Sequence, residues 1–226
     1  MTSDDPIRQR LVLLTSCLAD DTAATALGRA LSGGDVASVL IDPAGREHAA
    51  FQDYAEPLVR LAQEAGAAAL VVDDTQCAGR VRADGVHLTA GKIDALREAI
   101  EAHAPRMIIG ASGFKTRHEA LVAGEALPDY LFFGRLGQDN VPEPHPKTLA
   151  MAEWWADMVE LPCIALGSNA IEAVEIVAET GAEFIALSSA IFDEPGREAD
   201  RVAEVNAILE DRFQREKEKA RMRETA

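Results

Sequence analysis

The chain has 226 residues, enough for one large α/β domain, and 48% of them are apolar. Its formal net charge of −16 repels a phosphate backbone, so we expect no nucleic-acid partner. The start of the chain has no signal-peptide core, and no apolar stretch reaches the length of a membrane span. We therefore expect a cytoplasmic protein that has no membrane partner.

Eight short apolar runs lack polar alternation, which predicts strands buried on both faces, as in a parallel sheet. These runs cover residues 11–15, 36–41, 68–72, 85–88, 107–111, 130–133, 163–166 and 184–187. Amphipathic segments typical of helices lie between most of them. The segment between the third and fourth runs, residues 77–82, has room for only a turn or two of helix.

Two related phrases, EAGAAALVV and ETGAEFIALS, each end a helical pattern at Gly and continue into a strand. Eight such units close into a (β/α)8 TIM barrel, and the alternative is an open doubly wound sheet. The near-regular units and the lack of a dinucleotide fingerprint favour the barrel. We predict a single TIM-barrel domain over residues 1–226, with the barrel at about 10–197 and a C-terminal helix at about 198–220.

Small residues follow the seventh and eighth predicted strands, at Gly167, Ser168, Asn169, Ser188 and Ser189. Active sites of parallel barrels lie at the carboxyl ends of the strands, and phosphate often binds between these two loops. Exposed backbone N–H groups at such turns favour an anion. Tight packing and helix capping would select the same residue types. The pattern predicts a small phosphorylated molecule as ligand.

Two adjacent carboxylates, Asp73 and Asp74, directly follow the third predicted strand. Paired carboxylates at a strand end are suitable ligands for Mg²⁺, which also bridges to phosphates. In the alternative interpretation, one of them caps the short helix at residues 77–82. The residues alone leave both interpretations open.

Three further polar residues have two interpretations each. His87 lies inside an apolar run, where a histidine is more often a core residue than a base. Arg135 and Lys147 are placed to bind a diphosphate, or they are surface charges beside a loop.

Several phrases in chain order resemble the thiamine phosphate synthase family and its TenI-like thiazole tautomerase relatives. They are VVDDTQCAGRVRADGVHL, IIGASGFKTRHEAL, PDYLFFGRLG and LPCIALGSNAIEAVEIVAETGAEFIALSSAIF, within about residues 10–195. The resemblance implies an enzyme that joins a hydroxymethylpyrimidine diphosphate to a thiazole phosphate and releases pyrophosphate, with Mg²⁺ as cofactor. It implies catalytic roles for Asp74 and Ser112 and metal binding by Asp73 with Asp74. It also implies that Gly167 and Ser189 hold the thiazole phosphate.

The sequence departs from the family pattern at several places. The segment LIDPA, with Asp42 at its centre, stands where the family has Gln-x-Arg-x-Lys. Lys92 stands at a family aspartate that helps to hold the metal, and Phe114 stands at the tautomerase histidine.

These departures leave two hypotheses about activity. One is a synthase with rearranged cations; the other is a catalytically altered or inactive member that binds a small phosphorylated ligand. The candidate replacement cations are Lys92, Lys115, Arg135 and Lys147. The residues leave the oligomeric state open, a homo-oligomer included.

Overall fold

The computed structural model describes residues 6–224 and has eight parallel strands that close into a barrel in chain order. Strand β8 pairs with β1 and completes the ring. The strands are β1 (Arg10–Leu14), β2 (Val36–Ile41), β3 (Ala68–Val72), β4 (Gly85–Leu88), β5 (Ile108–Ala111), β6 (Tyr130–Phe133), β7 (Cys163–Leu166) and β8 (Phe184–Leu187). The predicted TIM barrel is confirmed, because all eight apolar runs form strands.

Helices follow the strands and surround the barrel. They are α1 (Ala23–Ser32), α2 (His48–Glu64), α3 (Thr75–Val81), α4 (Ile93–His103), α5 (Arg117–Gly124), α6 (Pro146–Met158), α7 (Val174–Ala178), α8 (Ser189–Phe192) and α9 (Glu198–Glu224). A 3-10 turn, Ile171–Ala173, precedes α7. Within residues 6–224, no helix is both long enough and apolar enough to cross a membrane.

Side chains along each strand alternate between two apolar cores. Val12 and Leu14 of β1 point into the barrel, whereas Leu11 and Leu13 pack against the surrounding helices. The barrel interior is filled by large side chains such as Phe132, so it is a packed core and not a pore. Polar groups that meet a ligand must therefore lie at the strand ends.

One polar pair interrupts the apolar interior of the barrel. His87 of β4 stacks on Tyr130 of β6, with ring centroids 5.6 Å apart. Gly110 of β5 lies between them in register, and a Cβ atom there would be 2.0 Å from the Tyr130 ring. Because His87 is fully buried, the prediction that it is a core residue is confirmed.

Candidate active site

A cavity of about 720 Å³ lies at the carboxyl ends of strands β2 to β7. This volume is typical of a small-molecule site. Its polar lining residues are Asp42, Asp73, Thr89, Ser112, Lys115, Arg135, Gln138, His145, Lys147 and Thr148. The fold therefore gathers charged and polar side chains from five strand ends, those of β2 to β6, around one space.

Three cations line this cavity: Lys115 after β5, Arg135 after β6 and Lys147 at the start of α6. In the described part of the chain, none of the three forms an ion pair. Lys92 is at the N-cap of α4 and does not line the cavity. The later strands thus supply the positive charge that is missing after β2.

Asp42 stands at the cavity rim, where the family pattern has cations. Its Oδ1 accepts the Ala44 N–H at 2.8 Å, and its Oδ2 accepts the Ser16 hydroxyl at 2.6 Å. These bonds hold the carboxylate in a turn that ends β2. Asp42 is therefore part of the local backbone structure as well as of the cavity wall.

Asp73 faces the cavity from a left-handed backbone conformation, with φ of 57°. Asp and Asn are the non-glycine residues that tolerate this region best. The carboxylate accepts the Thr89 N–H at 2.8 Å and also the Thr89 hydroxyl. The contact joins the ends of β3 and β4 and fixes one carboxylate at the cavity wall.

Asp74, predicted as a catalytic and metal-binding residue, points away from the cavity. Its Oδ1 accepts the Cys77 N–H at 2.7 Å and caps α3, and its Oδ2 lies 2.5 Å from Nδ1 of His48. The reversal of the backbone at Asp73 sends these neighbouring side chains in different directions. The helix-cap interpretation therefore describes Asp74.

The predicted magnesium pair does not converge in this arrangement. Within residues 6–224, no group of three or more His, Cys, Asp or Glu side chains is placed to hold a metal ion. Mg²⁺ is often held by one or two carboxylates together with substrate phosphates and water. Asp73 fits that role as a single ligand, and Asp74 does not.

Ser112 lies at the end of a hydrogen-bonded chain that begins inside the barrel. The Tyr130 hydroxyl is 2.9 Å from Nδ1 of His87, and Nε2 of His87 is 3.0 Å from Oγ of Ser112. Burial lowers the pKa of His87 to about 3 and raises the pKa of Tyr130. The imidazole is therefore neutral, with one N–H, and the phenol keeps its proton.

The direction of this chain follows from the need to satisfy buried donors. If the Tyr130 hydroxyl donates to Nδ1, then Nε2 of His87 carries the proton and donates to Ser112. The opposite tautomer would leave the Tyr130 proton without an acceptor among the described residues. The Ser112 hydroxyl is then free to donate into the cavity, where it can meet an anion.

The buried histidine predicts a pH dependence of stability. The unfolded chain takes up the His87 proton near pH 6.5, whereas the folded chain does so only near pH 3. The contribution of neutral His87 to the free energy of unfolding is therefore complete above pH 6.5. It declines as the pH falls below that value, by about 1.4 kcal/mol per pH unit. Denaturant unfolding between pH 4.5 and 8 measures it. His87→Gln should lose this component of the slope, and the exposed His118→Gln should retain it; parallel curves for wild type and His87→Gln would contradict the assignment.

The predicted anion loop after β7 is partly closed by internal hydrogen bonds. Gly167 lines the cavity, but its N–H donates to the carbonyl oxygen of Ala186 at 2.9 Å. The N–H of Asn169 donates to the carbonyl oxygen of Val141 at 3.1 Å. Ser168 is 1% exposed, and neither it nor Asn169 lines the cavity.

The predicted anion loop after β8 already holds an anion from the protein itself. The backbone N–H groups of Ser188 and Ser189 both donate to Oδ2 of Asp139, at 2.7 and 2.9 Å. Asp139 lies in the segment between β6 and α6, and no residue pattern indicates its role, because an irregular loop has no periodicity. The small polar residues after β8 were predicted from the sequence. That their backbone N–H groups bind a carboxylate of the same chain was not.

The family model described as "Thiamine monophosphate synthase" matches residues 11–191. The chain belongs to this family. The thiamine-phosphate synthase of Rhodospirillum centenum is 34% identical over 88% of this chain and 97% of its own length. That of Hyphomonas neptunium is 32% identical over 90% of this chain and 95% of its own.

Solved structures agree with the assignment to the thiamine monophosphate synthase family. A thiamine phosphate pyrophosphorylase from Pyrococcus furiosus superposes with a TM-score of 0.73, at 25% identity over 90% of this chain and 96% of that one. A 3-hexulose-6-phosphate synthase superposes with a TM-score of 0.70 at 14% identity, over 88% of this chain and 99% of that one, which shows the fold alone. The family resemblance found in the sequence is confirmed.

Proposed function

We propose that this protein is a thiamine-phosphate synthase, which joins a hydroxymethylpyrimidine diphosphate to a thiazole phosphate. The observation that carries the proposal is the presence of Lys115, Arg135 and Lys147, all without ion-pair partners in the described chain, around one strand-end cavity. Unpaired cations that converge on a small-molecule cavity favour an anionic, phosphorylated substrate. Relatives that carry the synthase name and match nearly the whole chain support the same activity.

The proposed reaction breaks the bond between the pyrimidine methylene carbon and the diphosphate oxygen. The ring nitrogen of the thiazole forms the new bond to that carbon, and pyrophosphate leaves with the electron pair of the broken bond. Negative charge grows on the leaving group, so donors already in place stabilise the transition state. The three cations and the Ser112 hydroxyl are the groups of this chain suited to that role.

Mg²⁺, when bound, neutralises part of the charge of a diphosphate. Asp73 is the residue we propose to hold it, together with substrate oxygens. The side chain is exposed at the cavity wall, and its bonds to Thr89 keep it there. Asp74 takes no part in this proposal, because its two oxygens are committed to α3 and His48.

A protein without turnover and a tautomerase are both less well supported. A phosphate-binding protein without turnover explains the missing β2 cations, but it is not favoured by relatives named as synthases. A tautomerase of this family would need a side chain that transfers a proton, two residues after Ser112 in the sequence. Phe114 lines the cavity at that position and has no such group.

A turnover assay tests the proposed function. The full chain is given both substrates with Mg²⁺, and thiamine phosphate is followed by chromatography while pyrophosphate release is followed in parallel. We expect the two products in equal amounts. Absence of both from folded protein, alongside measurable binding of the thiazole phosphate, would favour the protein without turnover.

A further inference from the structure

Asp139 is a buried carboxylate in contact with what we call the amide pair, the backbone N–H groups of Ser188 and Ser189. The residue is 1% exposed, and its Oδ2 alone accepts both N–H groups. A phosphate oxygen would make the same two contacts. Oδ2 of Asp139 therefore occupies the position that a phosphate oxygen would take.

The second oxygen of this carboxylate is poorly satisfied. Oδ1 of Asp139 is buried and has no hydrogen-bond partner among the residues that the structure describes. Burial raises the pKa of Asp139, and the nearby negative charge of Asp193 acts in the same direction, while the amide pair opposes both. A buried charge with one unpartnered oxygen is destabilising compared with the same group in water. An anion whose oxygens all find hydrogen-bond partners is therefore able to displace Asp139 from the amide pair.

The amide pair lies beside the cavity described above. Gln138, the residue before Asp139, lines the cavity, and so does Gly167, which directly follows β7, the neighbour of β8. The segment that carries Asp139 also carries Arg135, which lines the cavity from the other end of a short turn. Movement of this segment would connect the amide pair to the cavity.

We propose that Asp139 is an internal competitor for the phosphate group of the thiazole substrate. In the free protein it closes the amide pair, and it leaves when that phosphate binds. The identity of the substrate rests on the proposed function. Only molecules in which Asp139 has left the amide pair bind the phosphate. The apparent affinity is therefore the intrinsic affinity multiplied by the fraction of molecules in that open state. Asp139 thereby sets the affinity for phosphate without contributing to the reaction.

Calorimetric titration of Asp139→Asn and Asp139→Ala tests the proposal. The probes are the thiazole phosphate, inorganic phosphate and the thiazole alcohol that lacks the phosphate. We expect both phosphates to bind at least about tenfold more tightly to the variants, because a neutral or absent side chain competes less. Binding of the alcohol should not change. Asp193→Asn removes the same charge nearby without opening the amide pair, and it should change phosphate binding by less than about twofold.

Three results would overturn the proposal. One is phosphate binding that stays unchanged or weakens in variants that melt like the wild type. Another is a gain in the affinity of the variants for the alcohol as large as their gain for the thiazole phosphate. The third uses the wild type alone: amide NMR signals of Ser188 and Ser189 that do not shift at saturating thiazole phosphate. None of these measurements needs turnover, so tighter phosphate binding in a protein that makes no thiamine phosphate would reject the synthase and retain the competitor.

Discussion

Asp73→Asn is expected to lower kcat/KM for thiamine phosphate formation by about 10²-fold, the usual effect of removing one electrostatic group from a transition state. Asn keeps the shape of the side chain and tolerates the left-handed φ of 57° at this position, so the backbone should be preserved. The change removes the negative charge that faces the cavity. Steady-state rates at several Mg²⁺ concentrations measure the loss, which should be smaller at high Mg²⁺.

Asp74→Asn is the matched control for that variant. Asn caps a helix about as well as Asp, so α3 should keep its N-cap bond to Cys77. The rate should stay within about threefold of the wild type, because the side chain points toward His48 and away from the cavity. A loss near 10²-fold in Asp74→Asn with little effect in Asp73→Asn would reverse the assignment and restore the metal role that the family resemblance implies for Asp74.

Arg135→Gln and Lys147→Gln are each expected to raise the KM for the pyrimidine diphosphate by about 10- to 100-fold, as for loss of one hydrogen bond to a charged group. The physical reason is that β2 ends in Asp42, and none of the described residues places a cation on that side of the cavity to meet the diphosphate. Initial rates at saturating thiazole phosphate, together with calorimetric titration of the diphosphate, measure the effect.

Lys92→Gln serves as the control for both cations. It removes a positive charge from the same end of the barrel, but Lys92 does not line the cavity. Its KM for the diphosphate should remain within about twofold of the wild-type value, because exposed charges at a distance are screened. An equal rise in all three variants would mean that general charge, and not contact with the diphosphate, attracts this substrate.

Much of the fold could be predicted from the local pattern of residues. The run from Ala68 to Val72 is apolar at every position, and a short run of this kind is typical of a strand covered on both faces. His87 was assigned to the core by the same reasoning, because it lies inside an apolar run, and the structure shows it fully buried. The strand ends were predictable too, and with them Asp73, Ser112 and Arg135 at the cavity.

The direction of side chains beyond the strand ends was not predictable in this way. Asp73 and Asp74 are adjacent and chemically identical, yet one lines the cavity and the other caps a helix. The difference depends on one left-handed φ angle, and residue type alone permits that angle without requiring it. A pair of carboxylates in the sequence is therefore not yet a metal site.

The residue pattern was enough to predict the eight strands, to favour the barrel over an open sheet and to place the site at one end of it, because burial of apolar runs is a local and repeated signal. Which polar groups meet depends instead on contacts between distant parts of the chain. Asp139 reaches Ser188 and Ser189 across 49 and 50 positions of chain. Contacts between irregular loops depend on how the barrel closes and on which buried donor lacks a partner, and no periodicity in the residues records either.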